Sequence, residues 1–298
     1  VKYIATEIVR GQKIQLATAP HQRSSWLSSL SKKIADNKEM LAQLIATEGG
    51  KPIKDARVEV ERAALTFSLC AEAARSMSSP PTAIHQTASG DGKISFTLRE
   101  PIGPVLALSA FNHPLNLLAH QVGSALAAGC AVVFKPSPTT PYCGEWLADA
   151  LKEMGVPLNV AMICHAEVPQ IEELLAHPEF AYVSFIGAAK IGWSIRSKLA
   201  AGTRLALEHG GQAPAIVWDD AEIDRAVSCL IKGSFYHAGQ VCISTQKIFV
   251  HKDIWEKFTK AFVAKAKNLK VLDARKDDCD IGPGGPDAAT HLESVDVG

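Results

Sequence analysis

Neither sign of charge is in excess in this 298-residue sequence: 31 Lys+Arg stand against 31 Asp+Glu, and no basic run interrupts the chain. A nucleic-acid or anionic-membrane partner needs such a footprint, so neither is expected. No apolar run reaches the ~18 residues of a membrane span. The opening "VKYIATEIVRG" alternates charge and apolarity and does not resemble a signal peptide. Cys-x-x-Cys is missing, and seven cysteines is an odd number. A disulfide framework and a zinc site are therefore disfavoured, and a reducing cytoplasm fits. The ten histidines show no pairing at metal-ligand spacing, so no metal is expected. Internal repeats and low-complexity tracts are absent as well.

What is present reads as an ordinary globular protein, 47% hydrophobic and 21% charged. The length allows about two domains and a large core. Trp26, Leu27, Leu30 and Ile34 share one helical face. A second helix opens at the capping residues Asp36 and Asn37, carries Leu41, Leu44 and Ile45, and stops at Gly49-Gly50 with Pro52 beyond. A third runs from about Ile53 to Met77, and "SSPPT" breaks it. In "GDGKISFTLRE", Ile94, Phe96 and Leu98 alternate with Ser95, Thr97 and Arg99. That pattern predicts a half-exposed strand, either a surface hairpin or an arm that pairs with another subunit.

From Pro101 short apolar strands alternate with helices: "VLALS" (105–109), "CAVVF" (130–134), "NVAMIC" (159–164), "YVSFI" (182–186) and "RLAL" (204–207). Such alternation predicts a parallel sheet covered on both faces. After Glu208, "APAIVW", a helix from about Glu222, "QKIFV" and a helix from about Asp253 suggest that a second α/β domain begins. "IGPGGP" (281–286) is a Pro/Gly-rich break.

Ligands of open α/β sheets bind beyond the carboxyl ends of the strands. Those ends carry Asn112, Lys135, Gly187 with Gly192, and Glu208 with Gly210-Gly211. Each has a plainer reading. Asn112 suits a helix N-cap, Lys135 and Glu208 suit a solvated surface, and Gly-x-x-x-x-Gly suits a turn. The glycines match neither the Gly-x-Gly-x-x-Gly fingerprint nor a P-loop. Cys242, in "FYHAGQVCIST", is by type a packed thiol. Together the set suits a phosphate-bearing cofactor beside a polar reaction centre.

"FNHPLN", "FKPSPTTP", "SFIGAAKIG", "LEHGGQAP" and "GQVCIST", in this order, resemble the aldehyde dehydrogenase superfamily of the hydrolytic, non-acylating type. The resemblance covers about Ala17 to Asp280; its most specific part is the pair Glu-x-Gly-Gly and Gly-Gln-x-Cys, with Cys242 34 residues after Glu208 (242 − 208 = 34). It implies an open parallel Rossmann-like cofactor domain (1–81 and 101–208), an oligomerisation arm (82–100) and the start of a catalytic domain (209–298), incomplete as given. It also implies NAD(P)-dependent oxidation of an aldehyde to a carboxylic acid through a cysteine thiohemiacetal and thioester. Cys242 would be the nucleophile, Asn112 with the Cys242 N–H the oxyanion hole, and Glu208 the base for hydrolysis. Phe111, Lys135, Ser137, Pro138, Gly187, Ala188 and Gly192 would face NAD or NADP, with the pyrophosphate at a helix N-terminus. His113, His209, Phe235, Tyr236 and His237 flank these motifs, as substrate-funnel or simple packing residues. "FNHPLN" resembles branches that act on small polar aldehydes. The implied partners are an aldehyde substrate and further copies of the chain, as dimer or tetramer.

Three departures qualify the pattern. Pro138 stands where NAD-preferring members often carry a glutamate, which leaves room for NADP. Ala188 replaces a common phosphate-binding serine. Family members also continue well beyond the 56 residues that follow Cys242 (298 − 242 = 56). They carry a Glu-x-Phe-Gly-Pro segment that this sequence lacks, so a fragment, a truncated gene or a separate second chain is expected. A catalytic domain begun but unfinished should expose apolar surface and strand edges. The alternative functions are a truncated or degenerate member that binds nucleotide or acts structurally without turnover, and a cofactor-free cysteine hydrolase using Cys242 and Glu208.

Overall fold

A computed structural model describes residues 1–77, 79, 83–84 and 86–283. The break expected at 78–82, residue 79 apart, and the chain from 284 onward, including the end of the Pro/Gly-rich stretch, lie outside the described residues.

Four helices open the chain: α1 (Lys2–Ala17), α2 (Pro20–Asp36), α3 (Lys38–Gly49) and α4 (Ile53–Ser76). The last three follow the apolar periodicity. Asn37 plays a different part from the one expected of it. Its side chain makes no cap bond to α3; Nδ2 instead donates to the Lys33 carbonyl at 2.8 Å and closes the end of α2. Gly50, at φ 64°, supplies the left-handed residue that ends α3. The helix α1 is not announced by the alternating opening residues. Its buried face holds Ala5, Ile8, Gly11, Gln12 and Gln15.

Five parallel strands follow: β1 (Val105–Leu108), β2 (Val132–Lys135), β3 (Ala161–Ile163), β4 (Tyr182–Gly187) and β5 (Arg204–His209), in the order β3-β2-β1-β4-β5. They are joined through α5 (Pro114–Ala127), α6 (Tyr142–Glu153), α7 (Val168–Leu175) and α8 (Ala189–Arg196). Strand period two divides the side chains between two cores. Val105, Ala107, Val132 and Phe134 pack against α2 to α6, whereas Leu106, Leu108, Val133 and Val183 pack with Ile8, Leu174 and Ile195 of α1, α7 and α8. Burial on both faces explains why β1 and β2 are apolar runs rather than alternating ones. The chain crosses from β1 to β2 on one side and returns to β4 on the other. The crevice beyond the ends of β1 and β4 is thus a topological switch point.

A second, two-stranded parallel sheet pairs β6 (Ala215–Val217) with β7 (Ile248–Val250), linked by α9 (Ile223–Phe235) and followed by α10 (Trp255–Lys267). Val217, Val227, Ile231 and Phe258 form its small core, while Ile216, Trp218 and Phe249 are exposed. The strand expected around 94–98 does not form. Residues 93–104 join no ladder, and Ile94, Phe96 and Leu98 are 91%, 68% and 77% exposed. Alternation needs a partner strand and a surface to cover, and the described residues of this chain offer neither there. No helix of the described residues is long and apolar enough to cross a membrane.

Candidate active site

The loop after β1 carries Phe111, Asn112 and His113, each partly buried. Asn112 is not the helix cap: His113 occupies the N-cap position of α5, and its side chain makes no cap bond. The Asn112 Nδ2 instead donates to the Gln240 carbonyl at 2.7 Å, across 128 residues of sequence, while Oδ1 is buried without a partner. An amide nitrogen has two hydrogens, so one remains for a ligand.

Gln240 begins the stretch that ends at Cys242. Ahead of it the backbone turns left-handed at three successive residues, His237 (φ 49°), Ala238 (φ 55°) and Gly239 (φ 75°). Two of these are not glycine, and such a conformation costs about 1–3 kcal/mol per residue. This turn is held from below. The Gln240 N–H donates to the His237 carbonyl at 3.0 Å, and the Thr245 N–H donates to Gly233 of α9 at 3.0 Å. Between these anchors the Ser244 N–H closes on the Val241 carbonyl at 2.9 Å. That places Cys242 and Ile243 at the tip of an exposed turn. Cys242 is therefore not a packed thiol, unlike Cys70, Cys130, Cys143, Cys164 and Cys279, which are buried.

Glu208 is the penultimate residue of the edge strand β5, exposed, opposite Ile186. The loop that follows it passes under the cysteine turn: a Cβ on Gly211 would lie 3.7 Å from the Cys242 carbonyl oxygen. The Gln246 N–H then donates to the Gln212 carbonyl at 3.0 Å. Three segments distant in sequence, 111–113, 208–212 and 240–243, are brought together at the carboxyl end of the sheet.

Lys135 ends β2 beside the same crevice. Its half-buried ammonium donates to the adjacent Pro136 carbonyl at 3.2 Å, and burial pushes its pKa below the ordinary lysine value. Ser137 bonds Thr139 through their hydroxyls at 2.9 Å, and Pro138 is exposed. Gly187 ends β4, and a Cβ there would lie 2.7 Å from the Phe185 ring. Ala188, exposed, holds the N-cap position of α8. The Ile191 and Gly192 N–H groups both donate to the Ala188 carbonyl, at 3.0 and 3.1 Å. Gly192 leaves room for a neighbour, since a Cβ there would lie 2.0 Å from His209 Nε2. A half-buried cation short of partners and a bare strand end opening a helix fit a nucleotide lying across this crevice. Among the described residues no group of three or more His, Cys, Asp or Glu side chains could hold a metal ion.

Beneath the site lies a buried polar layer that the motifs do not include. His237 is 1% exposed, with both ring nitrogens unpartnered. Burial, together with the Lys51 and His113 charges, holds its pKa at about 2. His113 is held at about 3 for the same leading reason and stacks on Tyr236 at 6.4 Å; burial raises the Tyr236 phenol to about 12. Lys51 and Glu59 form an ion pair in the same region, their side chains 1% and 0% exposed. The one sequence signal for the pair is Glu59 itself, a lone charge in the apolar stripe Ala56, Val60, Ala63, Phe67 of α4.

A profile described as "Aldehyde dehydrogenase family" matches residues 5–291. Lactaldehyde dehydrogenase of Methanocaldococcus jannaschii is 40% identical over 267 residues, covering 88% of this chain and 56% of that protein. 3-Sulfolactaldehyde dehydrogenase of Priestia megaterium is 36% identical over 267 residues, covering 89% and 56%. Among solved structures, glyceraldehyde-3-phosphate dehydrogenase of Methanocaldococcus jannaschii, complexed with NADP, superposes with a TM-score of 0.89 at 38% identity, covering 95% of this chain and 62% of that one. The chain thus spans a little over half the length of the curated relatives it matches. The profile begins nearer the N-terminus than Ala17, where the motifs place the start, and so takes in most of α1.

Proposed function

The chain belongs to the aldehyde dehydrogenase family, and we propose on that premise that it takes part in NAD(P)-dependent oxidation of a small polar aldehyde to the carboxylic acid. The observation that carries this reading is the 2.7 Å bond from the Asn112 amide to the Gln240 carbonyl, which ties the loop after β1 to the turn bearing Cys242.

In this reading the Cys242 thiolate adds to the aldehyde carbon. The C–S bond forms as the carbonyl π electrons move to oxygen. The second Asn112 amide hydrogen and the Cys242 backbone N–H receive the resulting oxyanion, and loss of one such donor typically costs about 10²–10³ in rate. When bound, NAD(P)+ supplies the hydride acceptor, leaving an acyl thioester on Cys242. Glu208 takes a proton from the water that adds to this thioester. The C–S bond then breaks, releasing the acid and restoring the thiolate. Exposure of Cys242 and Glu208 supports both roles, since each must reach a diffusing reactant.

For the cofactor, Phe111, Lys135, Ser137, Pro138, Gly187, Ala188 and Gly192 are the proposed contacts, on a unit made of 1–81 and 101–208. Gly192 acts there by letting His209 close against α8. Pro138 places no carboxylate against a 2′-phosphate, so NADP is accepted as readily as NAD. The segment 82–100 is proposed as the arm of a dimer or tetramer, supported by the exposure of Ile94, Phe96 and Leu98.

Two substitutions test the chemistry. Cys242→Ala is expected to abolish oxidation while NADP+ titration still shows binding; retained oxidation would remove Cys242 as nucleophile. Glu208→Gln is expected to stall as an acyl-enzyme, and intact-protein mass spectrometry that finds no adduct on Cys242 would count against the base role. Binding of NAD(P)+ by the wild-type protein with no turnover of small aldehydes would favour a non-catalytic, nucleotide-binding member.

A further inference from the structure

We propose that the buried Lys51–Glu59 pair is a positioning device for the Asn112 amide, acting through the first turn of α5. The proposal rests on the reading of Asn112 as the oxyanion donor.

The first turn of a helix leaves backbone N–H groups without partners, and an N-cap side chain usually accepts one. In α5 the N-cap residue, His113, makes no such bond, and Pro114 has no N–H to satisfy. The acceptor comes from another helix. Glu59 of α4 takes the Leu115 N–H at 3.0 Å and the Asn116 N–H at 3.2 Å with one carboxylate oxygen, and pairs with Lys51 through the other. A carboxylate at a helix N-terminus is also favoured by the helix dipole. Lys51 is almost wholly buried; burial pushes its pKa down and Glu59 opposes that shift.

Such a pair is weak evidence for stability, because replacing a buried ion pair by apolar residues is often neutral or stabilising. Its geometry points to positioning. Asn112 lies two residues before Pro114, the first residue of α5. Its amide has to serve two acceptors at once, the Gln240 carbonyl and the developing oxyanion. Fixing the start of α5 to α4 fixes the loop that carries this amide, and through Gln240 the turn that carries Cys242. A displacement of about 1 Å at such a group is enough to cost about 10²-fold in rate.

The test uses the intact protein, with lactaldehyde and NADP+ as probes. Lys51→Met/Glu59→Leu keeps the volume filled and removes the acceptor. It is expected to lower kcat about ten-fold or more with KM changed less than about three-fold. Backbone hydrogen exchange should rise at 111–116 and 240–243. Lys51→Met/Glu59→Gln, which keeps an oxygen facing the two N–H groups without the charges, is expected to restore most of the rate and protection. A folded Leu variant with wild-type kcat and exchange overturns the proposal. So does a Gln variant as impaired as the Leu variant. If the Leu variant does not fold, Lys51→Arg/Glu59→Asp keeps both charges and withdraws the acceptor by one methylene; the same rise in exchange is expected, and its absence overturns the proposal. Should the wild-type protein oxidise no aldehyde, the reading of function fails, while the exchange measurements still decide whether Glu59 positions these loops.

Discussion

His237 sits 1% exposed in a left-handed turn with neither ring nitrogen bonded. A charge there has no compensation, so the imidazole stays neutral. The effect on stability has a definite sign. Unfolded, His113 and His237 take up protons near 6.5; folded, they resist until about 3 and about 2. Between these values the unfolded chain holds more protons. The stabilisation is therefore complete above 6.5 and is lost progressively as the pH falls below it. Each histidine costs on the order of 1 kcal/mol per pH unit in that window. Urea midpoints are expected to fall from pH 7 to pH 5, and His237→Gln to flatten the slope; equal midpoints in the wild-type protein would show that these imidazoles are solvated.

At the same scale, the reactive candidates were legible in the sequence because each follows an apolar strand or sits in a glycine-flanked motif. Glu59 and Lys51 were not. A single charge inside an apolar stripe is as consistent with a slightly rotated helix face as with a buried acceptor. Nothing local says that its partners are the N–H groups of residues 115 and 116.

Among the elements, the apolar strands show how far pattern reaches. The expected runs at 105–109, 182–186 and 204–207 became β1, β4 and β5, with only their ends shifted. The helix α1 escaped because the face it buries carries a single large apolar side chain, Ile8, among Ala5, Gly11, Gln12 and Gln15. Gln12 donates to the Gly129 carbonyl at 3.0 Å and accepts from the Ala131 N–H at 2.8 Å, and Gln15 donates to the Cys130 carbonyl at 3.2 Å. Glutamines that read as solvent-facing thus serve the backbone at the start of β2. Gly11 permits this close approach: a Cβ there would lie 1.7 Å from the Asn159 carbonyl oxygen. Backbone cannot swing aside as a side chain can. Gly11→Ala is therefore expected to lose about 2 kcal/mol or more in denaturant titration, outweighing the ~1 kcal/mol that alanine gains over glycine in a helix. A neutral or stabilised variant would mean that α1 does not dock as described.

For the molecule as a whole, the sheet order sets the site and the exposed surface sets its company. The strand order brings 111–113 and 208–212 to one end of the sheet, and the Asn112–Gln240 and Gln212–Gln246 hydrogen bonds bring 240–243 to them. Ile216, Trp218 and Phe249 around the second sheet are exposed, and so are Ile94, Phe96 and Leu98, where the expected strand does not form. Large apolar side chains exposed on one segment favour association. Sedimentation velocity of the 298-residue chain is expected to show species above 31.9 kDa, and Ile94→Lys with Phe96→Lys to shift the distribution toward that mass. A monomer unaffected by the substitutions would exclude residues 94–96 as a contact.

The carboxylates that cap the sheet helices come from earlier in the chain. Glu59 of α4 serves α5, and Glu48 of α3 accepts from the Tyr142 and Cys143 N–H groups of α6 at 2.9 and 3.2 Å. In a chain made from its N-terminus both carboxylates are therefore present before α5 or α6 is synthesised. Each later helix has its acceptor made ahead of it. The helices next to Asn112 and Lys135 thus start on acceptors that earlier helices supply, so the placement of both loops depends on how α3 and α4 are packed.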